Sequence, residues 1–346
     1  MDKMGNKIRK DWPVIAITMG DPGGVGPEII IKALSEDWYN SQFIPVVLGE
    51  ITVLHQAARA VGWDGRFELI EEPHDAKHLA DRILVLAPEG MRGGIFEPGR
   101  ETVEGGRVAG LCIEQAVGFA MAGEVAAIVT CPINKAMLNR AGYAFEGHTQ
   151  MIASLTRSDA YVMMLAGDRL MVSLVTIHVP LEKVPGLITE ARVYNTINLT
   201  YEALVRDFAL PEPRIGVAAL NPHGGEGGMF GKEEGEVIFP AIQRAKSQGV
   251  NVEGPFPADT LFWRAAKGDF DAVVAMYHDQ GLGPLKLIHF YDAVNVTLGL
   301  PIVRTSVDHG TAYDIAGTGK ANHKSLVNAL KMAVRIANNR KRQRSR

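Results

Sequence analysis

The sequence predicts an α/β fold built on a mostly parallel sheet that is covered by helices. Short apolar runs alternate along the chain with longer segments in which apolar residues recur at helical spacing. The short runs are mostly apolar rather than alternating, which is typical of strands that are buried on both faces. There is no internal repeat and no long polar linker, so we expect any two subdomains to be intimate, with the chain crossing between them more than once.

The first strand is predicted at residues 13–19, where an apolar run precedes a glycine-rich turn. The further predicted strands are 43–48, 83–86, 126–129, 168–177, 214–220, 272–276 and 294–297. The predicted helices are 28–34, 108–121, 193–208 and 324–339. The last of these has apolar residues on one face and is expected to be a packing helix.

The composition is that of an ordinary globular protein. The 346 residues are 47% hydrophobic and 22% charged, with a net charge of −3, and this balance favours neither nucleic acid nor membrane as a partner. The basic run at residues 340–346 is expected to be a solvated, frayed end.

Cysteine usage and the amino-terminal segment indicate the compartment. Two cysteines, Cys112 and Cys131, fit a reducing environment without a disulfide framework. The first ten residues lack the apolar stretch of a signal peptide, and no run approaches the roughly 18 apolar residues of a membrane span. We therefore expect a cytoplasmic protein.

Three histidines lie where apolar, strand-like runs end. His178, His223 and His278 each precede small or turn-forming residues, and the carboxyl ends of parallel strands meet at the edge of a sheet where ligands bind. Imidazole is a common ligand of zinc and similar divalent ions. The pattern predicts an open three-histidine metal site with room for water or substrate.

The glycine-rich turn at residues 20–28 joins the first strand to the first helix. It resembles neither a Walker A loop, because Pro27 follows Gly26, nor a dinucleotide fingerprint, because Ile29 occupies the place of the third glycine. A structural turn and a ligand-binding loop both remain open.

Two further regions contain polar residues in unusual settings. His148 and Thr149 stand at a predicted helix start, where a threonine can cap and a phosphate would be stabilised by the helix dipole. Asn295 and Arg304 lie in apolar surroundings, and each would need a polar partner once buried. An anionic substrate on which Lys286, Asn295 and Arg304 converge would supply that partner.

These segments together resemble the PdxA family of 4-hydroxythreonine-4-phosphate dehydrogenases. The resemblance runs in family order from residue 19 to residue 320. The segments that carry it are Met-Gly-Asp-Pro-Gly-Gly-Val-Gly-Pro-Glu, Gly-His-Thr, Asn-Pro-His-Gly-Gly-Glu-Gly-Gly, Pro-Ala-Asp-Thr, Met-Tyr-His-Asp-Gln-Gly, Gly-Leu-Pro-Ile-Val-Arg-Thr-Ser-Val-Asp-His-Gly-Thr-Ala and Gly-Thr-Gly-Lys.

The resemblance implies an α/β/α sandwich like that of isocitrate and isopropylmalate dehydrogenases rather than a Rossmann fold. On this basis residues 1–132 and 300–346 are expected to form one subdomain and residues 133–299 the other, with the active site in the cleft between them. It also implies a homodimer whose metal site is shared between subunits, so that one histidine comes from the partner chain. Gln150, where many members carry glutamate, and Cys131, where alanine or glycine is common, depart from the family pattern.

The family's metal ligands fall on His178, His223 and His278, with one Zn²⁺, Mg²⁺ or Co²⁺ per site. Its substrate contacts fall on five positions: His148, Thr149, Lys286, Asn295 and Arg304.

The resemblance implies oxidation of a phosphorylated hydroxy acid by NAD or NADP, followed by decarboxylation. Asp279, beside His278, is a candidate general base, with Lys286 or a water molecule as alternatives.

Three other functions remain open. A sister group within the family acts on 4-phospho-D-threonate and 4-phospho-D-erythronate. A non-catalytic metal or phosphate sensor would use the same histidines without turnover. A metal-dependent hydrolase or aldolase would use them without a dinucleotide.

Overall fold

The computed structural model describes residues 12–39, 42–77, 82–91 and 94–344. The strands in this part of the chain are β1 (Val14–Thr18), β2 (Ile44–Leu48), β3 (Arg66–Leu69), β4 (Arg82–Leu86), β5 (Ala127–Thr130), β6 (Val162–Ala166), β7 (Met171–Leu174), β8 (Ile215–Ala218), β9 (Val252–Phe256), β10 (Ala272–Ala275), β11 (Val294–Leu298) and β12 (Arg304–Ser306). The helices are α1 (Gly26–Leu34), α2 (Ile51–Val61), α3 (Val103–Ala122), α4 (Lys135–Arg140), α5 (His148–Leu155), α6 (Val184–Leu187), α7 (Glu190–Arg206), α8 (Phe239–Ser247), α9 (Ala258–Ala266), α10 (His278–Ile288) and α11 (Lys324–Arg344).

The chain divides into two compact units. The first combines Met1–Arg157 with Pro301–Asn338, and the second combines Ser158–Leu300 with Asn339–Arg346. The expected boundary after residue 132 is therefore too early, because α4 and α5 belong to the first unit.

Glycines on α3 explain where this boundary falls. An ideal Cβ on Gly106 would lie 2.3 Å from the carbonyl oxygen of Met137, and one on Gly110 would lie 2.1 Å from the ring of Tyr143. The missing side chains let the segment after β5 pack directly on α3. A sequence pattern that marks only the end of β5 does not reveal this packing.

The first unit contains a parallel sheet in the order β3–β4–β2–β1–β5–β12. The side chains of β2 and β5 are buried along their whole length, as predicted for strands covered on both faces. Parallel pairing directs the carboxyl ends of these strands to one edge.

The second unit contains a mixed sheet in the order β11–β6–β7–β10–β8–β9. β6 runs antiparallel to both β11 and β7, whereas β7, β10, β8 and β9 are parallel. The predicted α/β class with mostly parallel strands is confirmed in both units.

Three of the four described strands that were missed from sequence lack a clear apolar run. β3 contains Arg66 and Glu68, β12 is Arg-Thr-Ser, and β9 contains a Gly-Pro pair. Pairing with neighbouring strands determines these elements more than their own composition does. β6 is different, because its five buried residues are apolar and the sequence analysis overlooked them.

The carboxyl-terminal helix extends further than predicted. α11 continues to Arg344, and Arg340 forms a two-point ion pair with the buried carboxylate of Asp207, at 2.6 and 2.9 Å. Arg206 contacts the same carboxylate at 2.8 and 3.1 Å. The expectation of a frayed end is therefore wrong at Arg340, because that side chain neutralises a buried acid.

Asp207 remains ionised in this setting. Burial alone would raise its pKa, but the hydrogen bonds and positive charges of Arg340 and Arg206 outweigh burial and lower the pKa.

Among the described residues, none of the helices combines the length and apolar character needed to cross a membrane.

We predict that Asp207→Asn lowers the free energy of unfolding by about 3 kcal/mol at pH 7, because it leaves the Arg340 guanidinium without its counter-charge. Because the folded pKa of Asp207 is depressed, the stabilisation is present above the unfolded value of about 3.9 and is lost as pH falls through the folded pKa. Urea unfolding from pH 7 to pH 3 measures both effects. Glu212→Gln, an exposed site, is the control, and equal losses in the two variants would contradict the prediction.

Candidate active site

The register of β7 and β10 brings two of the predicted histidines together. Leu174 pairs with Ala275, and backbone hydrogen bonds continue beyond the strands from Val175 N to Ala275 O at 2.9 Å. His178 and His278 each lie three residues beyond this Val175–Ala275 hydrogen bond. Their ring centroids are 5.6 Å apart, with 42° between the ring planes.

The two imidazoles face a cavity of about 540 Å³. Its lining consists of Ile177, His178, Val179, Pro180, Leu181, Val184, Tyr277, His278 and Asp279. His278 Nδ1 lies 2.7 Å from Asp279 Oδ1, a geometry in which the carboxylate fixes the orientation of the ring. Metal-binding histidines commonly have such a carboxylate partner, so the pair fits a divalent ion.

His223 does not join this pair within one chain. It lies after β8 in a loop with left-handed backbone, its side chain is 69% exposed, and Nδ1 is 3.3 Å from Glu226 Oε2. Within the described ranges, no three His, Cys, Asp or Glu side chains come together as a metal site in a single chain. Two of the three predicted ligands are therefore brought together, and the third is not.

A buried cation begins β12 in the first unit. The Arg304 residue is 3% exposed, and its guanidinium donates to Thr130 Oγ1 at 2.8 Å. Burial lowers its pKa to about 10, which leaves the side chain charged at neutral pH. A charged guanidinium at this position suits an anionic ligand.

His148 begins α5 and is held neutral. Burial, followed by the positive charges of Arg304 and Lys135, lowers its pKa well below the usual value of 6.5. Its Nε2 atom is buried without a hydrogen-bond partner in the described structure. An unsatisfied buried nitrogen beside two cations indicates a binding position for a polar group.

Thr149 is half-buried in the first turn of α5, and the residue before the helix is Gly147, which provides no side-chain cap. The suggestion that Thr149 caps the helix is therefore wrong, because no side chain makes an N-cap hydrogen bond to this helix. The nearby Gln150 donates to Glu146 at 3.2 Å.

Asn295 and Lys286 belong to the second unit. Asn295 lies in β11, and its Oδ1 is buried without a partner among the described residues. Lys286 is half-buried on α10, the helix that His278 begins. The buried amide is the poor core residue that the sequence indicated.

The glycine-rich turn after β1 is explained by packing. An ideal Cβ on Gly23 would lie 2.2 Å from Arg100 O, and one on Gly26 would lie 2.1 Å from Met19 O. Asp21 organises the turn, because it accepts hydrogen bonds from Gly23 N at 2.9 Å and Tyr313 Oη at 2.7 Å. The sequence left open whether this segment is a structural turn or a ligand-binding loop, and these contacts support the structural turn.

Two residues that organise the site, Thr130 and Gln280, were not among the site residues predicted from the sequence. Thr130 accepts from Arg304, and its position at the end of β5 was an available signal. Gln280 accepts from Met276 N at 2.7 Å and donates to Ala219 O at 2.6 Å, so it ties the ends of β10 and β8 together. Its place two residues after His278 was the corresponding signal.

Comparison with known proteins identifies the family. The sequence profile described as "Pyridoxal phosphate biosynthetic protein PdxA" matches residues 41–333. The chain belongs to the PdxA family. A relative from Desulfosudis oleivorans named 4-hydroxythreonine-4-phosphate dehydrogenase is 50% identical over 323 residues, covering 93% of this chain and 95% of that protein.

The chain is also similar to a second sequence relative and to a solved structure. The D-threonate 4-phosphate dehydrogenase of Salmonella typhimurium is 43% identical, with coverage of 93% of this chain and 98% of that protein. The crystal structure of 4-hydroxythreonine-4-phosphate dehydrogenase from Klebsiella pneumoniae has a TM-score of 0.85 and 41% identity, covering 94% of this chain and 99% of that one. The likeness confirms the fold expected from the sequence.

We predict that Arg304→Gln raises the pKa of His148, because it removes one of the two cations that oppose protonation of the ring. The pKa should stay below 6.5, since burial is the larger cause. An NMR titration of the imidazole resonances measures the midpoint. The exposed Arg140→Gln variant is the control, and an unchanged midpoint in Arg304→Gln would contradict the expected coupling.

Proposed function

We propose that this protein is an NAD(P)-dependent, divalent-metal-dependent dehydrogenase of 4-phosphooxy-L-threonine in pyridoxal 5′-phosphate biosynthesis. C3 transfers its hydrogen as a hydride to the oxidised nicotinamide, and the C3 hydroxyl loses its proton to a base, which leaves a ketone at C3. The resulting β-keto acid then loses carbon dioxide to form 3-amino-2-oxopropyl phosphate. The observation that carries the proposal is the 50% identity, over 93% of the chain, to the Desulfosudis oleivorans relative named 4-hydroxythreonine-4-phosphate dehydrogenase. The proposed compartment is the cytoplasm.

We propose that His178, His278 and His223 hold the ion. When bound, a divalent ion would lower the pKa of the substrate hydroxyl and stabilise negative charge during decarboxylation. The 5.6 Å ring separation of the pair in one chain supports this assignment. Asp279 is hydrogen-bonded to Nδ1 of His278, which leaves Nε2 as the nitrogen that would bind the ion. We therefore assign Asp279 to ring orientation rather than to the base, and we assign the base to a water molecule, because Lys286 is proposed as a cation that binds the substrate.

We propose five substrate-binding residues. Arg304 supplies a fixed positive charge, and His148 supplies a neutral nitrogen with unused hydrogen-bonding capacity. Lys286 supplies a second cation, and the unpartnered Oδ1 of Asn295 supplies an acceptor suited to a hydroxyl or ammonium group. Thr149, in the first turn of α5, offers a hydroxyl to the same substrate.

We propose a homodimer in which His223 of one subunit completes the site of the other. The support is that one chain assembles only two of the three histidines. Both regions also expose apolar side chains that an interface would cover. Leu181, near His178, is 69% exposed, and Met229, near His223, is 74% exposed.

Removing one ligand tests the metal assignment. His223→Ala should weaken metal binding and turnover by orders of magnitude while leaving the apo protein folded, because the histidine is exposed rather than part of the core. Zn²⁺ or Co²⁺ titration, NADH absorbance and apo-protein melting provide the three measurements. Near-normal turnover after chelation would contradict the metal role.

Subunit mixing tests the shared site. Inactive His223→Ala and His278→Ala proteins should regain activity when mixed under subunit exchange, because each hybrid dimer contains one complete set of ligands. His178→Ala mixed with His278→Ala should stay inactive, since that pair comes from one chain. An active monomer on gel filtration would exclude the arrangement.

The second candidate is oxidation of 4-phospho-D-threonate, which is favoured by the 43% identity to the Salmonella typhimurium enzyme of that name. We expect kcat/KM to be at least about tenfold higher for 4-phosphooxy-L-threonine, because a site built for one polar group discriminates against an analogue. Parallel assays with both compounds measure the ratio. The reverse order would assign the protein to the second reaction, and no turnover with either would contradict both.

A further inference from the structure

The loop that carries His223 has an unusual backbone. His223, Gly224, Gly225, Glu226 and Gly227 all have positive φ values, between 46° and 79°. Three of these residues are glycines, but His223 at 55° and Glu226 at 46° are not. A side-chain-bearing residue with this backbone is strained, and such strain persists only where surrounding contacts hold it.

Those contacts converge on one buried carboxylate. Glu234 is 6% exposed, and its Oε1 accepts hydrogen bonds from Leu220 N at 2.8 Å and Asn221 N at 2.7 Å. Its Oε2 accepts from Asn221 Nδ2 at 3.0 Å, and the same amide donates to Glu233 at 2.8 Å. The carboxylate therefore closes the loop from Asn221 to Glu233.

The turn itself packs on this carboxylate. An ideal Cβ on Gly225 would lie only 2.6 Å from Glu234 Oε2. Gly231 approaches the side chain of Asn221 in the same way, with a distance of 2.4 Å to Nδ2. The two glycines allow the loop to fold against Glu234 and its amide partner, so the contacts involve both the entry and the middle of the loop.

We propose that Glu234 is a positioning residue for His223. All of the hydrogen bonds described for its carboxylate go to the two residues that precede Pro222 and His223. Burial of a carboxylate is unfavourable unless such bonds compensate for it. Glu234 also begins a π-helical turn, Glu234–Ile238, a local distortion that is frequent at functional sites. The inference rests on the proposed role of His223 as a metal ligand.

The test compares Glu234→Ala and Glu234→Gln with the matched control Glu236→Ala, an exposed position on the same turn. The dissociation constant for Co²⁺ is measured by chelator competition, and amide hydrogen exchange of residues 220–233 is measured in the metal-free protein. Glu234→Ala should weaken Co²⁺ binding 10- to 100-fold, about the usual effect of losing a group that supports a ligand. It should also accelerate exchange at Leu220 and Asn221.

Glu234→Gln should restore part of both properties, because its amide oxygen can still accept from the two backbone N–H groups. Glu236→Ala should match the wild type. Wild-type Co²⁺ affinity in both Glu234 variants would overturn the inference, provided that His223→Ala loses metal. If His223→Ala still binds Co²⁺ like the wild type, the proposed metal role of His223 is wrong. In that case hydrogen exchange alone tests the effect of Glu234 on the loop, and unchanged exchange in Glu234→Ala would overturn the positioning role as well. Should the alanine variant not fold, the glutamine variant gives the same two readouts.

Discussion

The parallel register of β7 and β10 is the constraint on which the candidate metal site depends. Backbone hydrogen bonds between these strands continue to Thr176 N and Met276 O, at 3.2 Å, almost to the two histidines. A shift of two residues in this register would move one imidazole by about 6.6 Å along the sheet. The buried apolar strands therefore fix the position of the two rings.

In the first unit, the parallel register of another strand pair, β12 with β5, fixes the position of a buried cation. β12 pairs with β5 so that Arg304 lies opposite Ile128, next to the strand end that carries Thr130. Burial of a guanidinium is costly unless hydrogen bonds compensate for it, and the hydroxyl of Thr130 supplies one such bond. The positive charge of Arg304 opposes protonation of His148. An anionic ligand bound here would weaken that field, so ligand binding and the protonation of His148 are linked.

The sequence placed His178 and His278 after strands because largely apolar runs precede them, and the structure has β7 and β10 at those runs. The family resemblance implied that one histidine comes from the partner chain, but the sequence did not indicate that His223 is the one that lies apart. The left-handed backbone of its loop depends on glycines and on Glu234, and neither produces a periodic signal. β12 was missed because Arg-Thr-Ser has no apolar character. Arg340 was misjudged because its partner, Asp207, lies 133 residues earlier.

The separation of His223 from the other two histidines links the proposed chemistry to assembly. If the third ligand comes from a second chain, an ion bound at the site holds the two subunits together as well as holding substrate. Thermodynamic linkage is reciprocal, so dimer formation then strengthens ion binding by the same factor by which the ion strengthens the dimer. Glu234 enters this linkage without touching the ion, because it restricts the loop that must cross to the partner. A preorganised loop reduces the conformational entropy lost when the interface forms. The buried carboxylate would therefore support both the assembly and the metal affinity of the enzyme.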